Sequence, residues 1–144
     1  MFSQPVRLVM EREKLLLGES GMTVSEAARQ MEKRKVGAVM VVDGGALVGI
    51  FSERDAVFRV LAKGRDPMAT TVGEVMTKRP HTIEPDKTFG YALILMHEKG
   101  FRHVPVVENG RVIGIVSARN ALDPELEEFV SETIRRKQIL RERA

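Results

Sequence analysis

The chain repeats itself. At an offset of 65 positions, residues 22–57 overlay residues 87–122 with 12 identities in 36 positions, where unrelated sequence would give roughly two or three. The agreement is densest where ALVGIFSERDAV (46–57) overlays RVIGIVSARNAL (111–122) and where VMVVDGG (39–45) overlays VPVVENG (104–110). Upstream, VRLVM (6–10) overlays VGEVM (72–76) at an offset of 66, so one residue is gained or lost between the blocks. GRDPMAT (64–70) connects the copies. A unit of about 60 residues buries too little apolar surface to be comfortably stable alone. The duplication therefore predicts two units, 1–66 and 67–123, that share a core, followed by a C-terminal helix over 124–144.

Each unit reads as β-α-β-β-α. In the first, Val24, Ala27, Ala28 and Met31 fall on one helical face, and Thr23 with Glu26 has capping-box spacing. In the second, Phe89, Ala92, Leu93 and Met96 take the same spacing. Gly44-Gly45 and Asn109-Gly110 are turn pairs that tolerate positive φ, which predicts hairpins from Val36–Val42 to Leu47–Phe51 and from Arg102–Val107 to Val112–Val116. Lys14–Leu17 and Thr82–Ile83 are short strand candidates, and helices start at Ser52 and Ser117, the first with Val57, Val60 and Leu61 on one face. The fold class is thus α/β (α+β), two repeats packed sheet to sheet about a pseudo-twofold axis. Such an axis creates two related clefts, and paired ligand sites are expected in them.

Composition narrows the chemistry. The absence of cysteine excludes disulfides, thiolate nucleophiles and Cys-based metal sites. His81, His97 and His103 show no i, i+4 pairing, so no metal site is expected. No nucleophile–base pair, HExxH motif or P-loop is visible, and the expectation is a protein that is not an enzyme and has no catalytic cofactor. Neither a signal peptide nor an apolar run long enough for a membrane span is seen, which makes a cytoplasmic soluble protein the default. A pI of about 9.4 and a basic tail would suit a nucleic-acid partner, but one Tyr, no Trp and acidic residues that nearly balance the basic ones argue against it. The basic excess in Arg135, Arg136, Lys137, Arg141 and Arg143 reads as a solvated helix face.

VGEVMT (72–77), VGAVMVVD (36–43), GIFSERD (49–55), FRHVPVVENG (101–110) and GIVSARN (114–120), in this order and duplicated, resemble a tandem pair of CBS domains, also called a Bateman module. The likeness covers roughly residues 5–123. It implies clefts for adenosine-containing ligands (AMP, ADP, ATP, NAD(H) or S-adenosylmethionine) and a sensing or regulatory role.

The motif chemistry fits that implication. Ser52 opens a helix whose N-terminal N–H groups attract phosphate, and its hydroxyl can donate to a phosphate oxygen. Arg54 offers a planar charged fork. The resemblance gives Asp55 the two ribose hydroxyls. Ser-x-x-Asp is also a capping box, and Ser52 can serve both ends. The second copy reads Ser117, Arg119 and Asn120, with Asn where the family usually has Asp. An uncharged acceptor makes a weaker bond, so the second cleft is expected to bind ribose differently, more weakly or not at all. Val36, Gly37 and Ala38 suit adenine readout by backbone, with Gly37 removing side-chain bulk. The matching Arg102, His103, Val104 and Pro105 bring two basic groups that face phosphates in some family members. Pro105 lacks an N–H, which predicts a missing ladder bond. Thr82 resembles a cleft-lining Thr, with Leu16 or Leu17 in its place in the first copy. Met76 reads as core.

Asp123-Pro124 looks like the start of a last helix whose apolar stripe is Leu126, Phe129, Val130, Ile134 and Leu140. The resemblance implies a homodimer. The leading functional expectation is a sensor of adenine nucleotides read by a regulated partner enzyme. The alternatives are a protein-interaction scaffold with vestigial clefts and a nucleic-acid-binding protein.

Overall fold

The computed structural model describes residues 2–119 and 132–141. The chain starts with a short helix α1 (Val6–Val9) and strand β1 (Leu17–Gly18), then α2 (Val24–Arg34) and the hairpin β2 (Ala38–Asp43) and β3 (Ala46–Ser52). Helix α3 (Glu53–Asp55) runs on as a π-helical stretch, Ala56–Leu61. The second half follows as α4 (Val72–Val75), β4 (Thr77–Lys78), α5 (Phe89–Lys99), β5 (His103–Glu108) and β6 (Arg111–Ser117). Residues 132–141 are helical.

The sequence offset is conserved to the residue. The bounds of α2, β2 and β3 differ from those of α5, β5 and β6 by 65, and those of α1 and α4 by 66. Both hairpins turn on two residues of positive φ, Gly44 (58°) with Gly45 (83°) and Asn109 (52°) with Gly110 (78°), the conformation whose twist matches the flanking strands. Each hairpin carries an irregularity at the same place, Val41/Val42 and Val106/Val107.

The first sheet has the order β1-β2-β3-β4, and β5 and β6 form the second. The second sheet is flanked by single bridges, Ile83 to Val106 and Glu11 to Ile115, where the first has whole strands. Pro105 explains one of these. In the first repeat the Met40 N–H donates to the Leu16 carbonyl at 2.8 Å; Pro105 occupies the matching position and has no N–H to give.

Among the described residues, the buried apolar side chains form three clusters. One joins α2, β2, β3 and Val60 with Val72, Val75 and Met76. Another joins α5, β5 and Val116 with Val6 and Met10. The lead-in helices are thus crossed: α4 completes the core of the first repeat and α1 that of the second. The third cluster, Ala38, Met40, Ile50 and Ile115, lies between the sheets and is the shared core that the duplication predicts.

Three local expectations are corrected. Thr23 does accept the Glu26 N–H (3.1 Å), but the Glu26 carboxylate turns to Arg29 and Gln30 instead of closing a capping box. Ala28 is exposed, so the α2 face narrows to Val24, Ala27 and Met31. After Ser52, Val60 is buried while Val57 and Leu61 are 48% and 69% exposed. The π-helical turns, with the Ala62 N–H on the Val57 carbonyl and the Arg65 N–H on that of Val60, widen the period and rotate Val57 and Leu61 outward.

Candidate functional site

In both repeats a strand start stands opposite a strand end, and in the first repeat α3 begins there. Ala38 pairs with Ser52, and His103 pairs with Ser117. Behind each pair the backbone is tied identically: the Glu53 N–H donates to the Gly37 carbonyl and the Ala118 N–H to the Arg102 carbonyl, both at 3.0 Å. These junctions carry most of the residues that the sequence singles out.

Ser52 is the N-cap of α3. Its hydroxyl oxygen accepts the Asp55 N–H at 3.3 Å, and the Asp55 carboxylate Oδ2 accepts the Ser52 N–H at 2.9 Å and its hydroxyl at 3.2 Å. The capping box is closed. Asp55 is 7% exposed, and its Oδ1 lies 3.6 Å from Arg59 Nε. Arg59 is itself anchored on the Val75 and Met76 carbonyls, which fixes this corner against α4. The cap leaves acceptor capacity on Oδ1, since a carboxylate offers about four lone-pair sites.

Arg54 points away from its own junction. Its Nη1 donates to the Gly100 carbonyl at 2.9 Å, and its guanidinium lies 5.6 Å from the centre of the Phe58 ring. Arg119 is 3.5 Å from the Glu11 carboxylate. Val36 packs on the first core, and Ala38 lies in the shared one. Val104 and Pro105 are fully buried, so only their backbone can face a cleft. Ser117 is buried and Arg102 exposed. Asn120 lies outside the described residues, as do Asp123, Pro124, Leu126, Phe129 and Val130; Ile134 and Leu140 are 54% and 67% exposed.

The junctions meet across the repeat boundary at Gly37. A Cβ on Gly37 would stand 3.1 Å from Glu53 Oε1 and 3.2 Å from His103 Cε1. Gly37 is therefore glycine because a carboxylate and an imidazole from different repeats occupy the space beside it. Burial pushes the His103 imidazole below the ordinary histidine value; Glu53 and Glu11 pull it back up, while Arg119 and Arg102 add to the fall. Sequence reading missed Glu53 and Glu11. For Glu53 a signal existed, since the aligned repeats carry Glu53 against Ala118 within otherwise matching motifs.

Thr82 stands apart from this centre. The strand register equates it with Leu17, because Leu17 pairs with Met40 and Ile83 bridges to Val106. Leu17 is 50% exposed. Thr82 lines an open groove of about 610 Å³ with Asp86, Tyr91 and Glu108, beside the second hairpin. None of the other candidate ligand-binding residues borders that groove.

Two homologous α/β units with crossed lead-ins, a common core and matched strand-to-helix junctions define a paired-repeat module. The CBS domain family matches residues 8–62 and 72–125, and the chain belongs to that family. It is 41% identical over 110 residues to the CBS domain-containing protein CBSCBSPB2 of Arabidopsis thaliana, covering 76% of this chain and 20% of that protein. The chain thus spans about a fifth of that relative's length. An uncharacterized conserved protein from Pyrococcus horikoshii superposes with a TM-score of 0.80 at 28% identity, covering 87% of this chain and 94% of the other. The CBS domain pair of protein MJ0100, solved in complex with 5′-methylthioadenosine and S-adenosyl-L-methionine, gives 0.77 at 26% identity over 87% of this chain and 98% of that one. Among the described residues, no helix is long and apolar enough to cross a membrane, and no cluster of three or more His, Asp or Glu could hold a metal ion.

Proposed function

We propose that the chain is a regulatory module that binds adenosine-containing ligands at the two strand-to-helix junctions and carries no catalysis of its own. The observation that carries this reading is the match, over 87% of the chain, to a domain pair solved with two such ligands. The junction chemistry supports it. Backbone at Val36–Ala38 suits an adenine edge, Asp55 Oδ1 suits a ribose hydroxyl, and Arg102, His103 and Arg119 supply positive charge near the second junction. Val104 and Pro105 contribute backbone only and Ser52 and Ser117 contribute hydroxyls, while Thr82, in its groove beside the second hairpin, stands outside this arrangement. Arg54 reaches it only by releasing Gly100.

A ligand seated between the repeats shifts the population of their relative arrangements, and a partner enzyme in the cytoplasm reads the shift. A homodimer is the assembly that fits best, because Val57, Phe58, Leu61, Tyr91 and Ile94 are all about half exposed or more on helices a second copy would cover. Isothermal titration with AMP, ATP, NAD(H), 5′-methylthioadenosine and S-adenosylmethionine tests the binding. Sedimentation with and without ligand tests the assembly.

A further inference from the structure

The repeats match in backbone but not in charge. At the junction the first repeat presents Gly37, Ala38 and Glu53 where the second presents Arg102, His103 and Ala118. The first repeat has an acid, Glu53, where the second has Ala118, and the second has two basic residues where the first has Gly37 and Ala38. The shared backbone bonds, 3.0 Å in both repeats, show that these positions are true structural equivalents.

The first repeat keeps no compensating cation at this point. Arg54, its only basic motif residue, is spent on the Gly100 carbonyl and the Phe58 face. Arg119, from the second repeat, lies against Glu11. Among the described residues, no Lys or Arg forms a salt bridge with Glu53. Glu53 is exposed, and its Oε1 and the His103 ring each lie within 3.3 Å of the point where a Gly37 Cβ would stand. A ligand group that reaches the Gly37–His103 contact therefore lies beside the Glu53 carboxylate, which there works against the positive charge of Arg102 and Arg119.

Resting on the adenosine-binding reading, we infer that Glu53 is a specificity residue: it disfavours adenosines whose 5′ end carries phosphate at this junction and favours those whose 5′ substituent is neutral or cationic. A phosphate beside a carboxylate is a like-charge pair in a partly desolvated cleft, which costs affinity and gives selectivity rather than tightness. Loss of the carboxylate removes that penalty and leaves adenine and ribose contacts untouched.

The test is titration of the full chain with AMP and with 5′-methylthioadenosine, which share adenine and ribose and differ at the 5′ group. The wild type is expected to prefer the thioether by about tenfold, and Glu53→Gln, which keeps the shape and removes the charge, to tighten AMP by about tenfold with the thioether unchanged. An AMP-to-thioether ratio that is the same in wild type and Glu53→Gln overturns the inference while leaving adenosine binding standing. Equal weakening of both ligands in Glu53→Gln also overturns it, by showing a packing role. If the wild type binds neither compound, this inference falls, and the adenosine reading falls with it only if S-adenosylmethionine, ATP and NAD(H) fail to bind as well.

Discussion

The thioether of Met76 rests on Gly49, on the spot where a Cβ would stand. Met10 and Gly114 repeat the relationship in the other half, with the sulfur 2.8 Å from that spot. Each methionine comes from the lead-in helix of the opposite repeat. The two contacts are therefore the latches of the crossed architecture, and glycine is required because the lead-in lies directly on the strand.

Gly49→Ala is expected to destabilise the protein by about 1–3 kcal/mol, the range for overpacking a filled site. The Thr77 carbonyl, 2.9 Å from the new methyl position, is backbone and cannot rotate away. Gly114→Ala meets its nearest backbone atom at 3.3 Å and should cost less. Urea denaturation of both variants decides the order; equal or reversed costs contradict it.

Met10→Ala should cost about 2–5 kcal/mol as a buried large-to-small change. Crossing predicts where the loss is felt. Amide hydrogen exchange should speed up in β5 and β6, which share a core with Met10, before it does in β2 and β3. Faster exchange confined to the first repeat would show that the lead-in serves its own unit.

Asp55 has two tasks, and they separate by substitution. Asp55→Ala removes the cap and is expected to cost about 0.5–2 kcal/mol of stability. Asp55→Asn keeps an acceptor for the Ser52 N–H and should recover most of that stability. If Oδ1 takes a ribose hydroxyl, both variants lose adenosine affinity, and Asp55→Ala loses more than Asn120→Ala does. Equal effects at positions 55 and 120 would refute the asymmetry between the clefts.

His103 sets a pH dependence whose sign follows from its environment. Burial holds the folded-state imidazole below the ordinary 6.5, with Glu53, Arg119, Arg102 and Glu11 facing it. Between the two values the unfolded chain binds more proton than the folded one, so this contribution to stability is complete above 6.5 and declines as the pH falls toward the folded-state value. Proton NMR should place the His103 titration below that of an exposed histidine. Glu53→Gln should lower it further, because Glu53 opposes the shift. An unchanged titration would remove Glu53 from contact with the ring.

Much of the architecture was legible because the repeat is a measurement the sequence makes on itself. Both hairpins, their two-residue turns and most of the buried faces of α2 and α5 follow from periodicity and turn chemistry at matched positions, whereas the strand candidates Lys14–Leu17 and Thr82–Ile83 shrink to Leu17–Gly18 and to a single bridge. Met76 also reads correctly as core from its apolar stripe. The crossed lead-ins do not, since Val6 and Val72 look alike and periodicity says which residues are buried but not against what. The outward turn of Val57 and Leu61 was hidden for a related reason: a π-helical stretch changes the period that the reading assumes. The site divides likewise. Ser52, Asp55, Gly37 and His103 are visible as motif residues, and the pairing of Ser52 with Ala38 and of His103 with Ser117 follows from the hairpins. Glu53 became meaningful only when Gly37 and His103 proved to share its space, and Arg54, which looks like a phosphate ligand in sequence, is held by a carbonyl from the other repeat.

The most direct test of the central claim is isothermal titration of the full chain with adenosine-containing ligands. The account predicts saturable binding with a dissociation constant below the millimolar range for at least one of 5′-methylthioadenosine, S-adenosylmethionine, AMP, ATP and NAD(H), weakened by Asp55→Ala. No binding of any of the five below millimolar concentration would contradict it.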